Sequence, residues 1–371
     1  MATAAIEARA DLPALTGIRG IAAWFVVLFH IRTGAATQLS PWLISILGKG
    51  YLAVDLFFML SGFVLWLNYS HALRERGAAG APTFIARRLA RIWPPHIFIL
   101  GCTAALALLF VLTGRAAPGH YPWSELPLHV ALAQNWGFTG ALTWNDPSWS
   151  ISCEFAAYLL FPLLVALVDW RKLPTPSLLL LLALLPVTLH ALMSGGGGAT
   201  TLGGNIPRFG LSRALIEFLM GTLLCTLWTR WRTVPGIALP GCLGVLAVTL
   251  AALLAGLVPE TLGGPWAFAA LLLAAALGAG RGNPLGWKPI HYLGEISYAT
   301  YLVHFLLYIL FKLVFVADPA YVPLPLLGLF LLLVLVASIV LHHRLERPAQ
   351  RRLNRAIDTW APARPPAPRR V

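Results

Sequence analysis

Residues 19–30 read "RGIAAWFVVLFH", with ten apolar or small side chains between Arg19 and His30. A bilayer core demands about 20 mostly apolar residues of a spanning helix, and this stretch sits inside such a run. On a helix, eleven positions rise about 16 Å and make about three turns, so Arg19 and His30 share one face. Two readings of that face are open. In the plain one, the arginine snorkels to the boundary and a backbone carbonyl satisfies the histidine. In the functional one, the face lines a cavity with a cation at its mouth and a base at its end.

The rest of the chain has the same character. Of 371 residues, 58% are hydrophobic and only 11% are charged, where a soluble domain carries about a quarter charged residues. So few charges cannot cover a water-facing surface, and the composition predicts an all-α, polytopic transmembrane helix bundle. The net charge of +13 then reports how basic residues are distributed about the bilayer, and no nucleic-acid partner is expected. Ten spanning segments are predicted, centred near residues 26, 59, 102, 158, 184, 219, 247, 272, 302 and 332. With a cytoplasmic N-terminus, 21 of the 27 lysines and arginines fall on the cytoplasmic side. That bias predicts an even number of helices with both termini cytoplasmic. Residues 1–350 are read as one integral membrane domain, and 351–371 as a basic, Pro-rich cytoplasmic tail, disordered and able to rest on anionic membrane lipid. No cleavable signal peptide is expected. Cys102, Cys153, Cys225 and Cys242 stand in apolar stretches without CxxC or Cys/His spacing, so they read as buried hydrophobes and no metal site is expected.

Several polar residues fall where lipid would demand apolar ones. "VDLFFMLSGF" (54–63) puts Asp55 inside the second segment, a functional candidate by default, with Ser61 and Gly62 suited to close helix packing. "RRLARIWPP" (87–95) sets Arg88 and Arg91 one turn apart, able to grip one anion together or simply to anchor the helix. In "PSWSISCEFAAYLLFP" (147–162), Ser150 and Glu154 share a face, although an acid near a helix start is also favoured by the dipole. "GEISYATYLVH" (294–304) aligns Ser297, Tyr301 and His304 in a polar stripe, and Glu217 is a further isolated candidate.

These motifs, in this order, resemble the acyltransferase family 3 proteins, the polytopic O-acyltransferases that acetylate bacterial cell-surface glycans. The resemblance runs from "LPALTGIRGIAAWFVVLFH" (12–30) to "LERP" (345–348). His96, standing where the family would have an aromatic, and Cys153, before the acid, depart from the pattern. The resemblance implies a multi-pass protein of the bacterial plasma (inner) membrane. It implies transfer of an acyl group, usually acetyl from acetyl-CoA, to a hydroxyl of a glycan or lipid-linked saccharide. Arg88 and Arg91, matching the family's Arg-x-x-Arg, would bind CoA phosphates, with Arg19 flanking the pantetheine arm. His30 would be the general base, acting by direct transfer or through an acyl-histidine, and Asp55 or Glu154 would orient it. Ser150, Ser297, Tyr301 and His304 would bind acceptor. Other readings are a transporter or flippase using the same residues as a proton relay, and a family member acylating a macrolide-like small molecule or moving a longer acyl group.

Overall fold

The computed structural model describes residues 12–278, 283–318 and 321–360, and within them the chain is helical with no strand. In order the helices are α1 (Pro13–Ile31), α2 (Pro41–Leu47), α3 (Ala53–Arg76), α4 (Ala81–Leu112), α5 (Leu126–Val130), α6 (Trp149–Leu167) and α7 (Thr175–Gly197). They continue with α8 (Ile206–Trp231), α9 (Pro235–Leu254), α10 (Glu260–Leu277), α11 (Lys288–Glu295), α12 (Ser297–Phe315), α13 (Leu324–Leu341) and α14 (Arg347–Trp360). Each of the ten expected centres falls inside one of the long helices. Among the described residues, nine apolar runs are long enough to cross a membrane, and the longest, Pro41–Leu112, contains both α3 and α4. The chain is an integral, multi-pass membrane protein. Its helices start where the sequence lets them: proline occupies the first turn of α1, α7, α8, α9 and α13, where its missing N–H costs nothing.

Burial separates scaffold from centre. The apolar window of α8 is 72% buried within the bundle and that of α9 only 6%, so α8 is enclosed by protein and α9 presents itself to lipid. Helix α3 lies against α8 at backbone distance. A Cβ on Gly62 would meet the Phe218 carbonyl oxygen at 1.9 Å, and one on Gly221 would meet that of Met59 at 2.0 Å. Gly62 thus has the packing role expected of it. Helix α1 meets α11 in the same way, since a Cβ on Gly294 would stand 1.8 Å from the Thr16 carbonyl oxygen. That crossing sets the position of Arg19.

The tail departs from expectation. Helix α14 runs through the predicted boundary at 350/351, so residues 351–360 are helical and not disordered. Arg87 Nη2 reaches Asp358 Oδ1 at 2.6 Å and ties α14 to α4. Residues 361–371, with Arg9 and Arg281, lie outside the described residues.

Candidate active site

Seven of the predicted site residues line one cavity of about 300 Å³ between α1, α3, α4, α6 and α12: Arg19, Arg88, Arg91, Ser150, Glu154, Ser297 and Tyr301. Arg87, Arg88 and Arg91 divide as their helical spacing requires. Arg87 turns outward to α14, whereas Arg88 and Arg91 face the cavity. Arg88 Nη2 donates to Tyr69 Oη at 2.7 Å and its guanidinium lies 4.8 Å from that ring's centre. Arg91 has no hydrogen-bond or ion-pair partner among the described residues. Arg19 is held by the α11 crossing, donating from Nε and Nη2 to the Gly294 carbonyl at 3.2 and 2.8 Å. Ser297 Oγ donates to that same oxygen at 2.8 Å. Glu154 accepts from Ser61 Oγ at 2.7 Å and from Tyr158 Oη at 2.5 Å. Ser61, read from the sequence as a packing residue, therefore positions an acid. Ser150 Oγ and Tyr301 Oη are 2.7 Å apart, and both lie close to the Pro147 carbonyl, at 3.1 and 3.0 Å.

His30 and His304 are not on that cavity wall but on each other. Their rings are 4.9 Å apart, and His30 Nδ1 is 3.3 Å from His304 Nε2. The stripe on α12 links the two places, since Ser297 and Tyr301 line the cavity and the Tyr301 ring is 6.0 Å from that of His304. Proton positions follow from the acceptors. His30 Nδ1 lies 2.9 Å from the Val26 carbonyl and His304 Nδ1 lies 3.2 Å from that of Thr300. Carbonyl oxygens only accept, so in neutral rings both Nδ1 atoms carry the proton. His304 Nε2 then accepts a share of the His30 Nδ1–H, and His30 Nε2 is left with a free lone pair. The carbonyl of the plain reading is present, and it fixes the tautomer a base requires.

Asp55 does not touch His30. It is fully buried and takes Arg213 in a two-pronged pair, with Nη2 to Oδ2 at 2.6 Å and Nε to Oδ1. Arg213 Nη1 donates to the Leu202 carbonyl at 2.8 Å, and the guanidinium lies 5.5 Å from the centre of the Trp149 ring. Glu154 is likewise committed to the cavity. Neither carboxylate orients the imidazole; the neighbour of His30 is His304, which the sequence reading had set aside for the acceptor. Arg213 is not a partner that helical spacing to Asp55 could have indicated, since it stands on α8 and Asp55 on α3. A different signal was available: a buried intramembrane acid calls for a cation, and Arg213 and Glu217 share a face of α8. No three His, Cys, Asp or Glu side chains converge as a metal site among the described residues.

The acyltransferase domain family matches residues 12–343, and Acyltransferase MdmB of Streptomyces mycarofaciens is 33% identical over 80% of this chain and 78% of its own. This chain belongs to that acyltransferase family. Two other relatives are more distant. The putative peptidoglycan O-acetyltransferase YrhL of Bacillus subtilis (strain 168) is 24% identical over 79% of this chain and 48% of its own length. O-acetyltransferase OatA of Staphylococcus aureus (strain NCTC 8325 / PS 47) is 23% identical over 58% of this chain and 35% of its own. No solved structure matches. The protein is a membrane-embedded O-acyltransferase, and the arginine-lined cavity and the histidine pair lie within the matched region.

Proposed function

We propose that this acyltransferase takes an acyl group, acetyl above all, from acyl-CoA at its arginine-rich face and passes it to a hydroxyl of an exported or cell-surface glycan or lipid-linked saccharide. That face is cytoplasmic in this reading, with both termini on the same side of a bacterial plasma membrane, as the lysine and arginine bias supports. Arg88 and Arg91 grip CoA phosphate oxygens, for which a paired guanidinium fork is suited. Arg19, held on Gly294, flanks the pantetheine arm. The arm is of the order of half the bilayer core, so a thioester can pass Tyr301 and reach the histidines.

The acceptor oxygen attacks the thioester carbonyl carbon while His30 Nε2 takes its proton. The tetrahedral oxyanion collapses and the C–S bond breaks. The His30 imidazolium then gives the proton to the leaving sulfur, and the products are an acyl ester and CoA thiol. His304 Nε2 accepts from Nδ1–H of that imidazolium and stabilises it at the moment of attack. Direct transfer accounts for every atom, with no acyl-histidine required. Asp55, saturated by Arg213, serves the scaffold, and Ser150, Ser297 and Tyr301 form the passage between cavity and base.

The observation that carries this reading is the lone pair left on His30 Nε2 by the two carbonyl-bound Nδ1 atoms. The glycan acceptor draws on the name of YrhL, a putative peptidoglycan O-acetyltransferase, and the acetyl group on the names of YrhL and OatA. The name of MdmB specifies no acceptor. The test is CoA thiol release from acetyl-CoA by the purified protein with acceptor present. His30→Ala is expected to lower the rate about 10²–10⁴-fold with insertion intact. Transfer at the undiminished rate in that variant removes His30 from the mechanism, and absence of any thiol release from the native protein means that acetyl-CoA is not its donor or that the acceptor is of another class.

A further inference from the structure

A second cavity of about 240 Å³ opens beside the first, and Leu67 of α3 lines both. Trp66 and Trp228 are among its lining residues, together with Arg171, Arg230, Arg232 and three hydroxyl side chains. Neither Asp nor Glu is among its described lining residues. Two of the arginines are already spoken for. Arg171 is forked onto Asp169 at 2.9 and 3.1 Å, and Arg230 holds Thr175 Oγ1 at 2.9 Å and the Leu173 carbonyl at 2.6 Å. Arg232 is different. Its guanidinium stands 5.1 Å from the centre of the Trp228 ring, with no hydrogen-bond or ion-pair partner among the described residues.

We infer that this second cavity binds the 3′-phosphorylated adenosine end of the acyl-CoA donor, Arg232 taking the 3′-phosphate and the lining tryptophans lying against the adenine. The inference rests on the acyl-CoA reading above. CoA carries its 5′-diphosphate and its 3′-phosphate as separate groups, so an Arg88–Arg91 pair closed on the diphosphate leaves the 3′-phosphate to another cation. A phosphate monoester beside a flat aromatic base calls for a cation next to an aromatic face, which is what Arg232 and Trp228 provide. A membrane phosphate diester headgroup shares the phosphate chemistry, and the experiment separates the two.

Acetyl-CoA and acetyl-3′-dephospho-CoA are compared as donors for the full-length protein, in nanodiscs of phosphatidylcholine alone and with phosphatidylglycerol. The native protein is expected to favour acetyl-CoA about ten-fold or more in kcat/KM, the worth of one charge-assisted contact. In Arg232→Ala that ratio falls toward one, and Arg232→Lys keeps part of it. Because the ratio compares two donors on one sample, partial misfolding cannot imitate the result. Equal use of both donors by the native protein, or a ratio untouched by Arg232→Ala, overturns the inference while the acyl-CoA reading stands. Arg232→Ala slowing both donors equally, and only with phosphatidylglycerol present, assigns the cavity to lipid and overturns it too. If acetyl-CoA gives no thiol release at all, the donor reading itself has failed.

Discussion

Two sets of buried or half-buried charges among the described residues are built from the same residue types and used in opposite ways. Asp55 and Arg213 close on each other, and the remaining guanidinium nitrogen goes to the Leu202 carbonyl. The pair thus spends on the protein the hydrogen-bonding capacity that a ligand would need. Around the first cavity, Arg19 and Arg88 each keep a protein partner, and Arg91 has none among the described residues. Intramembrane charge is therefore a poor guide to chemistry on its own. What separates a strut from a binding site is whether the protein itself has used the group's hydrogen-bonding capacity.

The harshest way to break this comparison leaves every charge in place. One alanine inserted after Trp24 turns His30 by about 100° relative to Arg19 and moves it 1.5 Å along the axis. The His30–His304 contact is lost, while Arg88 and Arg91 on α4 are untouched. Transfer should vanish and acyl-CoA binding persist, read by thiol release and by equilibrium binding of labelled acetyl-CoA. Normal transfer in a correctly inserted variant would mean the alignment along α1 has no catalytic meaning.

The strut is tested by removing one end and then both. Asp55→Ala strands a buried arginine, and loss of one partner of such a pair costs about 3–5 kcal/mol. Melting of the purified protein in detergent should show that loss. Asp55→Leu combined with Arg213→Met removes both members of the pair and should regain most of the stability, with transfer returning alongside. A double variant that is stable yet inactive would put Asp55 back among the catalytic groups.

A gentler change acts on the unsaturated set. Arg88→Ala with Arg91→Ala should raise the apparent KM for acetyl-CoA at least ten-fold, since charge-assisted contacts are worth about 1.5–3 kcal/mol each. The double lysine variant should recover only part, because a point charge cannot reproduce the guanidinium fork. Identical KM values in native and double-alanine proteins would reduce these arginines to membrane anchors.

The sequence shows some of this plainly and hides the rest for physical reasons. Spanning helices are legible because lipid forces each to be a long apolar run with its backbone bonds made internally. Arg88 with Arg91, Ser150 with Glu154, and Ser297 with Tyr301 are legible as pairs because helical spacing alone puts them on one face. Partners on distant helices obey no such rule. Asp55 and Arg213 are 158 positions apart, and His30 and His304 are 274 apart. Only the packing of α3 on α8 and of α1 beside α12 decides those pairs. Helix α14 was hidden for another reason: its polar sequence resembles a tail, and its tie to α4 through Arg87 and Asp358 is a long-range contact.

The tautomers of the histidine pair have an electrical consequence. With both rings neutral, the step proposed for them takes one proton from the acceptor hydroxyl and returns it to sulfur. Each turnover then sends a neutral acyl group outward and a hydrogen atom's equivalent inward, with the CoA phosphates remaining where they bound. No net charge crosses the bilayer, so membrane voltage should neither drive nor resist the reaction. In this proposal the thioester supplies the driving force, and vesicles clamped at opposite potentials should acylate their acceptor to the same final extent.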